Sequence, residues 1–519
     1  MNSAITVMLK GKKSHDISSQ LISLSMEKMV NTIPTASISI TAGNFAERQY
    51  PSFEKGNYQI GEILEIRVRN ENSGKPEKSI FKGVVTGHEF TVKKGIPIMT
   101  IKLSDPAHKL LQACDTEIFN KQNDKQMIEK VLAEASGLSL SDQSSKLAGY
   151  TFFQYIRSQQ NAWQFIKDRI CANGLLCTWE YGKLNVYKST DTASQITLDV
   201  GIDETVVDIQ MEQNGTGSIK SAAVTYWNQE KNKIEKQDRK MDSDIAKALK
   251  AIASAYTCPH ITNKAEATAL LDGIALSQDL QQATGSIRVT GNPSYQPMQE
   301  LKLSGLSASL NGTSLVTGIV HQIRPGRWTT DIKVGMKNYG EDLLEQVSFP
   351  GCRLQSLLAT AMKWEKDPQN LGRVPLEVPA LGKGKYWAYP AQLAAGAKQR
   401  SFMLPEAGEQ VILGFLNNCL HQGVILTSVY QKTAMPAKPF SFDSKSPVGI
   451  VSNQASSLIF SSEEKETTLS TPGGHELKLS DKDGLNMASK KDMQLKGGAK
   501  VSFTASAAMQ IKGSTIDLN

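Results

Sequence analysis

The most regular hydrophobic pattern in the chain lies in its last 45 residues. Split into eights from His475 they read HELKLSDK, DGLNMASK, KDMQLKGG, AKVSFTAS, AAMQIKGS and TIDLN. Apolar residues two apart fall at Leu477 and Leu479, Leu485 and Met487, Met493 and Leu495, Val501 and Phe503, and Met509 and Ile511; the last pair, Ile516 and Leu518, slips by one. Side chains two apart on a strand share a face, so each octad predicts a short strand with one apolar face, followed by a turn of Gly, Ser, Lys or Asp. Strands this short bury too little surface in one copy and leave long unpaired edges. Three copies wound about one axis solve both problems, with the apolar pairs filling a central column and the edges pairing between chains. A single-chain amphipathic hairpin tail or a small solenoid is the alternative.

Upstream, residues 367–430 alternate apolar and polar positions in short runs. Val374, Leu376 and Val378 are followed by Trp387 to Tyr389, Phe402 to Phe415 and Gly423 to Tyr430, separated by Pro, Gly and Asn turns. This spacing predicts a small Greek-key barrel of the OB type. Residues 1–345 mix two periods. Strand patterns fall at Ala4 to Leu9, Ala36 to Thr41, Ile63 to Val68, Ile80 to Val85 and Ile96 to Leu103, and again at Ser286 to Thr290, Leu301 to Leu303, Leu315 to Ile323 and Asp331 to Val334. Between them, helices are predicted over Asp124 to Ser136, Gln160 to Asn173 and Ser243 to Ala255, with a fourth opened by Asn263, boxed by Glu266 and closed at Gly285. The fold class is mainly β with helical insertions (α+β), in two related β units.

Composition narrows the chemistry. A chain of 519 residues with 40% hydrophobic and 21% charged positions has room for three or four ordinary domains. The most apolar stretch, Val411 to Val429, is broken by Asn417, Asn418, His421 and Gln422, so no helical membrane span is expected. The first residues lack the form of a signal peptide, and folding in the cytoplasm is expected. Six cysteines without CxxC spacing predict neither a disulfide framework nor a zinc module, and the net charge of +7 is interspersed, which reads as a solvated surface instead of a nucleic-acid footprint. The barrel aromatics lie in apolar strands, as core residues do, whereas single-strand binders interleave them with basic residues. Neither Cys258-Pro259-His260 nor the acidic group Glu463, Glu464 and Glu466 has the setting of a catalytic or metal site, and GxSxG, HExxH and P-loop motifs are absent. No enzyme activity, cofactor or metal is expected.

Three phrases in order carry a family resemblance. DPQNLGRVPLEVP (Asp367 to Pro379), FMLPEAGEQVILGF and HQGVILTSVY resemble the OB domain of VgrG-type spike proteins, with Arg373, Pro405, Gly408, Glu409, Val411, Phe415 and Ser428 to Tyr430 on the family pattern. DPAHKLLQ (Asp105 to Gln112), QNAWQFIKDRICANGLLCTWEY (Gln160 to Tyr181) and the Ala265 to Gly291 segment followed by PMQELKLSG resemble the family's phage-hub-like N-terminal region.

The resemblance implies a homotrimeric spike of a contractile injection system. Residues 1–345 would be the tube-adaptor hub, 346–366 a linker, 367–432 the OB collar, 433–468 linker and needle entry, and 469–519 an intertwined triple-stranded β-helix needle. The needle core would be the ten residues Leu477 through Ile511 named above. Ile516, Asp517, Leu518 and Asn519 would dock a PAAR-type tip protein. Implied partners are further copies of the chain, the inner tube protein, baseplate proteins, effector cargo and the target cell envelope, with no nucleic acid. Assembly in the bacterial cytoplasm, followed by ejection or release in an extracellular phage-tail-like particle, is the favoured expectation; a type VI secretion spike is the alternative. A trimeric β-helical tail-fibre adhesin and a peptidoglycan-degrading spike enzyme are more distant.

Overall fold

A computed structural model describes residues 3–9, 11–51, 58–70, 76–112, 114–147, 149–192, 194–203, 205–228, 231, 233–258, 261–307, 310–337, 339, 356–396, 398, 401–416, 419–432, 434–452 and 455–517. The chain divides into two compact units, Met1–Val429 and Tyr430–Asn519.

The first unit is organised by one long, mostly antiparallel sheet. Its strands run in the order Val206–Gln213, Ala283–Thr290, Arg327–Val334, Gly312–Arg324, Leu21–Met29, Thr35–Thr41, Ile96–Ser104, Lys78–Lys93, Ile63–Asn70, Ser3–Leu9 and Lys12–Lys13, with Glu300–Ser304 and Gln195–Asp199 branching from Gly312–Arg324. Alternation decides the faces: in Thr35–Thr41, Ala36, Ile38 and Ile40 are buried while Ser37 and Ser39 are half-exposed. Two apolar cores result, one around Leu24, Ile38, Ile66 and Ile101 and one around Ile196, Ile287, Val316 and Ile332. They meet where Gly312–Arg324 pairs with Leu21–Met29, Ile319 opposite Lys28 and Ile323 opposite Leu24. All nine strands predicted in residues 1–345 form, eight of them within a few residues of the expected ends, while the one expected over Ile80 to Val85 runs on to Lys93.

The helical insertions also form, with corrected ends. Asp124–Ala133 opens on a capping box between Asn123 and Gln126 and ends three residues before Ser136. Ala162–Ala172 is capped by the Asn161 side chain, which accepts from the Gln164 N–H. These two helices pack on a ribbon of Cys114–Asn123 and Thr151–Asn161 around Phe119, Ile128, Trp163 and Ile166. The third predicted helix is largely wrong. Only Asp244–Ala248 is helical; Lys250 then takes a φ of 51°, and Ala253–Thr257 is a strand pairing in parallel with Ser221–Asn228. An alanine-rich run has good helix propensity, but here a neighbouring edge takes up its backbone groups instead. The fourth helix, Lys264–Gln282, passes directly into strand Ala283–Thr290, so Gly285 is a strand residue and caps nothing. A Cβ at Gly285 would lie 2.5 Å from the Gln210 carbonyl oxygen.

The barrel is closed by five strands in the order Leu357–Ala361, Val374–Glu377, Lys385–Pro390, Gly423–Val429 and Gln410–Phe415. Its first strand comes from the stretch 346–366, expected to be linker. Only Gln410–Phe415 of the predicted Phe402 to Phe415 run is a strand; Phe402 and Met403 precede the turn at Gly408 and are exposed. The Asp367–Arg373 phrase has a local physical explanation. The Asp367 carboxylate accepts from the Gln369, Leu371 and Arg373 backbone N–H groups and, at 3.0 and 2.9 Å, from Arg373 Nε and Nη2.

The ribbon docks on this barrel and completes its core. Ile118 and Ile156 join Leu376, Val378, Tyr386 and Val411 in one apolar cluster. The Gln154 carboxamide accepts from Trp387 N–H at 2.8 Å, Asn120 donates to the Lys385 carbonyl at 3.1 Å, and the Arg373 guanidinium lies 4.0 Å from the centre of the Phe153 ring. Gly382, at a φ of 85°, permits the approach, since a Cβ there would sit 2.2 Å from the Thr116 carbonyl oxygen.

Two outcomes follow from this packing. Ile118→Ala and Ile156→Ala should each cost about 2–5 kcal/mol by denaturant titration; an unchanged midpoint would mean that the barrel is complete without the ribbon. Burial alone would raise the Asp367 acid, but hydrogen bonds from Arg373 and from the backbone of Gln369 and Arg373 outweigh it and hold the carboxyl at about 2. The folded value lies below the unfolded ~3.9, so this contribution is complete above about pH 4 and disappears as pH falls towards 2. Asp367→Asn should flatten the acid limb of the stability curve; an acid limb as steep as in the parent would exclude Asp367 as its source.

Candidate functional site

The second unit presents an open apolar face. Val448–Val451, Ser457–Ser461, Glu466–Ser470, Glu476–Ser480 and Gly484–Ala488 form an antiparallel meander, each strand paired with the next. Residues directly opposite in such a ladder share a face. The register therefore sets two rows side by side: Ile450, Leu458, Leu469, Leu477 and Met487, and Val448, Phe460, Thr467, Leu479 and Leu485. Nine of these ten residues are apolar. The middle row of the other face reads Gly449, Ile459, Thr468, Lys478 and Asn486.

In a single chain the apolar face is open. Phe460 is 48% exposed, Leu485 61% and Met487 49%. A contiguous apolar patch beyond a few hundred Å² marks an interaction site on a soluble protein. Full burial of each such side chain is worth about 1.5–3 kcal/mol. Charge is kept to the rest of the unit: Lys478 pairs with Glu466, and Lys445 Nζ lies 2.9 Å from Glu463 Oε1. The Lys478 ammonium donates to the Glu466 carboxylate and holds its acid below the usual carboxylate range. His475 Nδ1 and Ser489 Oγ are 2.8 Å apart beside the last turn of the meander.

The predicted needle residues divide into two groups. Leu477, Leu479, Leu485 and Met487 are brought together on the one face, Leu477 opposite Met487 and Leu479 opposite Leu485. That pairing lies within one chain, whereas the octads were expected to pair between chains, because the turns Asp481–Asp483 let successive octads fold back on one another. Met493, Leu495, Val501, Phe503, Met509 and Ile511 lie beyond the last described strand and are all exposed, Phe503 by 65%. Ile516 and Asp517 are likewise exposed, and Leu518 and Asn519 lie outside the described residues. Val448, Ile450, Leu458, Phe460 and Leu469 were missed. Val448 with Ile450 and Leu458 with Phe460 are the same two-apart pairs, but their longer turns break the eight-residue spacing and place them in the stretch expected to be linker and needle entry, whereas Leu469 opens the expected needle with Thr467 as its two-apart neighbour. Glu463 and Glu464 occupy the turn after Ser461; Cys258 is buried with its thiol pushed up to about 12 by desolvation, and Pro259 and His260 lie outside the described residues.

Comparison with known proteins bears on both units. Residues 2–325 match the family described as Alg8 N-terminal domain, and residues 360–430 the family described as type VI secretion system/phage-baseplate injector OB domain. No curated protein matches the chain in sequence. Among solved structures, a chain of the half-lidded Francisella PdpA–VgrG complex is 10% identical with a TM-score of 0.59, the match covering 94% of this chain and 88% of that one. The E. coli c3393 protein, described as a type VI secretion component with structural similarity to the T4 bacteriophage tail proteins gp27 and gp5, is 11% identical with a TM-score of 0.50 over 82% of this chain and 99% of its own. The 43 kDa tail protein of prophage MuSo2 from Shewanella oneidensis is 13% identical with a TM-score of 0.50, covering 65% and 99%. At these identities the likeness is one of fold, and the fold is that of VgrG-like spikes and phage tail hubs.

Leu485→Asp should leave the first unit folded and abolish association between copies in sedimentation velocity. Association at the parent's strength would show that copies meet through another surface.

Proposed function

We propose that the chain, which belongs to the Alg8 N-terminal domain family through residues 2–325, acts as the homotrimeric spike at the head of a contractile injection system. The observation that carries this reading is the open two-row apolar face and its continuation into the exposed octad pairs. Three copies facing one axis bury both rows, and the octads after Ala488 find in the other chains the pairing partners that one chain does not supply. The long sheet and helical insertions of the first unit would cap the inner tube and meet baseplate proteins, and the barrel would form a collar. The VgrG-like fold and the injector OB match over residues 360–430 support the assignment.

The work is mechanical and needs no bond-making step, so the chain is not an enzyme in this reading. Only a short stretch separates the last barrel strand, ending at Val429, from the meander starting at Val448, which leaves no inserted catalytic domain between them. A PAAR-type tip protein would sit on the terminal residues Ile516 to Asn519, effectors would travel with the spike, and contraction would drive it through the target envelope. We favour an extracellular phage-tail-like particle, assembled in the cytoplasm and then released, with a type VI secretion spike as the second reading. The compact passage from barrel to meander favours the first.

Native mass measurement should give a trimer of about 170 kDa, three times the 56.7 kDa chain; a monomer at micromolar concentration would overturn the spike assignment. Leu495→Asp or Val501→Asp would bring three like charges together in a dry column, at a cost of several kcal/mol to trimer melting. Deleting residues 516–519 should leave the trimer intact and abolish pull-down of the tip protein.

A further inference from the structure

We propose that the cavity between the helical insert and the barrel loop binds a small amphipathic anion, an apolar chain ending in a carboxylate, with the chain on the aromatic wall and the carboxylate at the first turn of the long helix. The cavity measures about 920 Å³, inside the range of roughly 300–1,000 Å³ usual for small-molecule sites, which gather where separate parts of a fold meet. Four parts of the first unit enclose it: the ribbon strand Thr151–Asn161, the helix Ala162–Ala172, the start of the helix Lys264–Gln282 and the barrel loop at 419–421. That loop is fixed on both sides. Tyr386 Oη donates to the Leu420 carbonyl at 2.7 Å, His421 Nδ1 lies 3.1 Å from the Ile156 backbone nitrogen, and the His421 ring stacks on Tyr155 with centroids 4.3 Å apart.

The lining is graded from apolar to cationic. Phe152, Ile156, Ile261 and Leu270 are buried, and the rings of Tyr150 and Tyr155 each meet Phe152 edge-on, at 5.0 and 5.1 Å between centroids. Lys188 and Lys264, in contrast, are exposed at the mouth. Most of the remaining charge in the wall is already paired: Asp124 holds Arg169 and Asn173, Asp272 pairs with Arg239, and Lys146 with Asp191. Lys188 and Lys264 form no ion pair among the described residues, Lys188 being drawn to Asp191 only from beyond ion-pair distance.

Glu266 supplies the directed group. Its Oε2 accepts from the Thr262 N–H at 3.2 Å and from Asn263 Nδ2 at 2.7 Å, whereas its Oε1 makes no hydrogen bond among the described residues. Burial lifts its acid to about 7, so near neutrality much of it is the protonated carboxyl, which donates to a carboxylate. Lys264 and Ala265 line the cavity from the same first turn, where backbone N–H groups lack intrahelical acceptors and the helix dipole is positive. An anionic head finds there an acid proton, an ammonium group and a helix N-terminus together. A cationic head meets Lys188 and Lys264 at the mouth and Arg169 within.

Calorimetric titration of the full chain at pH 7 with dodecanoate, and separately with dodecyltrimethylammonium, both below their micellar concentrations, tests the site by the sign of the head. Dodecanoate should bind one per chain, at least tenfold more tightly than the cation of the same chain length. The open apolar face of the second unit has no reason to prefer either head, so equal affinities would overturn the proposal, as would no binding of dodecanoate. Lys188→Ser combined with Lys264→Ser should weaken dodecanoate at least fivefold, and Ala269→Trp, which fills the cavity from the long helix, should abolish its binding; unchanged affinity in either variant would overturn the site. Glu266→Gln keeps a donor without the charge and should bind dodecanoate at least as tightly as the parent, a fivefold loss being incompatible with the assigned role. If Ala269→Trp fails to fold, the comparison of heads and the lysine pair still decide. The cavity lies within the first unit, so the outcome is independent of whether the copies associate.

Discussion

The central sheet of the first unit hangs on one pairing, that of Leu21–Met29 with Gly312–Arg324. These strands are almost three hundred residues apart, and their ladder fuses two β units into one sheet with an apolar core on each side of the junction. Closing so long a loop costs only slowly more entropy as the loop lengthens, but contacts this distant form late and slowly. The intervening chain resolves the problem locally. Capped helices and the two-stranded ribbon build their own core around Trp163 and Ile166, and this insert then presents a finished surface to the barrel.

The seam between ribbon and barrel shows how a small barrel is held without a large core. Two isoleucines from the insert fill its interior, a carboxamide replaces a missing ladder partner at Trp387, and an arginine already fixed by Asp367 covers the Phe153 ring. Each contact joins residues more than two hundred positions apart or uses a side chain already rigid for another reason. Such a joint resists shear, because its polar members sit in defined geometry and its apolar members exclude water.

The second unit follows the opposite logic. Its five strands pair in series within one chain, so that only the two outer strands keep an open edge, yet they leave nine apolar side chains in two rows on one face. Backbone satisfaction and side-chain burial are thereby separated. A chain achieves most of the first alone; the second needs company, and the exposed octads beyond Ala488 continue the demand.

The sequence by itself determined the elements whose period is local. The strands of residues 1–345, the cap at Asn263, the barrel strands between Val374 and Val429, and the apolar pairs from Leu477 onward are legible because each depends on spacings of two to eight residues. The Asp367 and Arg373 phrase was legible as a family likeness, and the structure gives it a cause in a carboxylate that ties its own loop. What only the tertiary structure decided were choices between partners. Ala253–Thr257 became a strand because a neighbouring edge lay within reach; Leu357–Ala361 became part of the barrel because closure needed a fifth strand. Val448 to Leu469 joined the apolar face because ladder register, which no fixed period records, set them opposite one another. His421, Tyr155 and Ile156 carry no shared motif at all. They meet because an insert and a barrel loop dock, and contact across such a distance is fixed by packing, which a linear pattern does not encode.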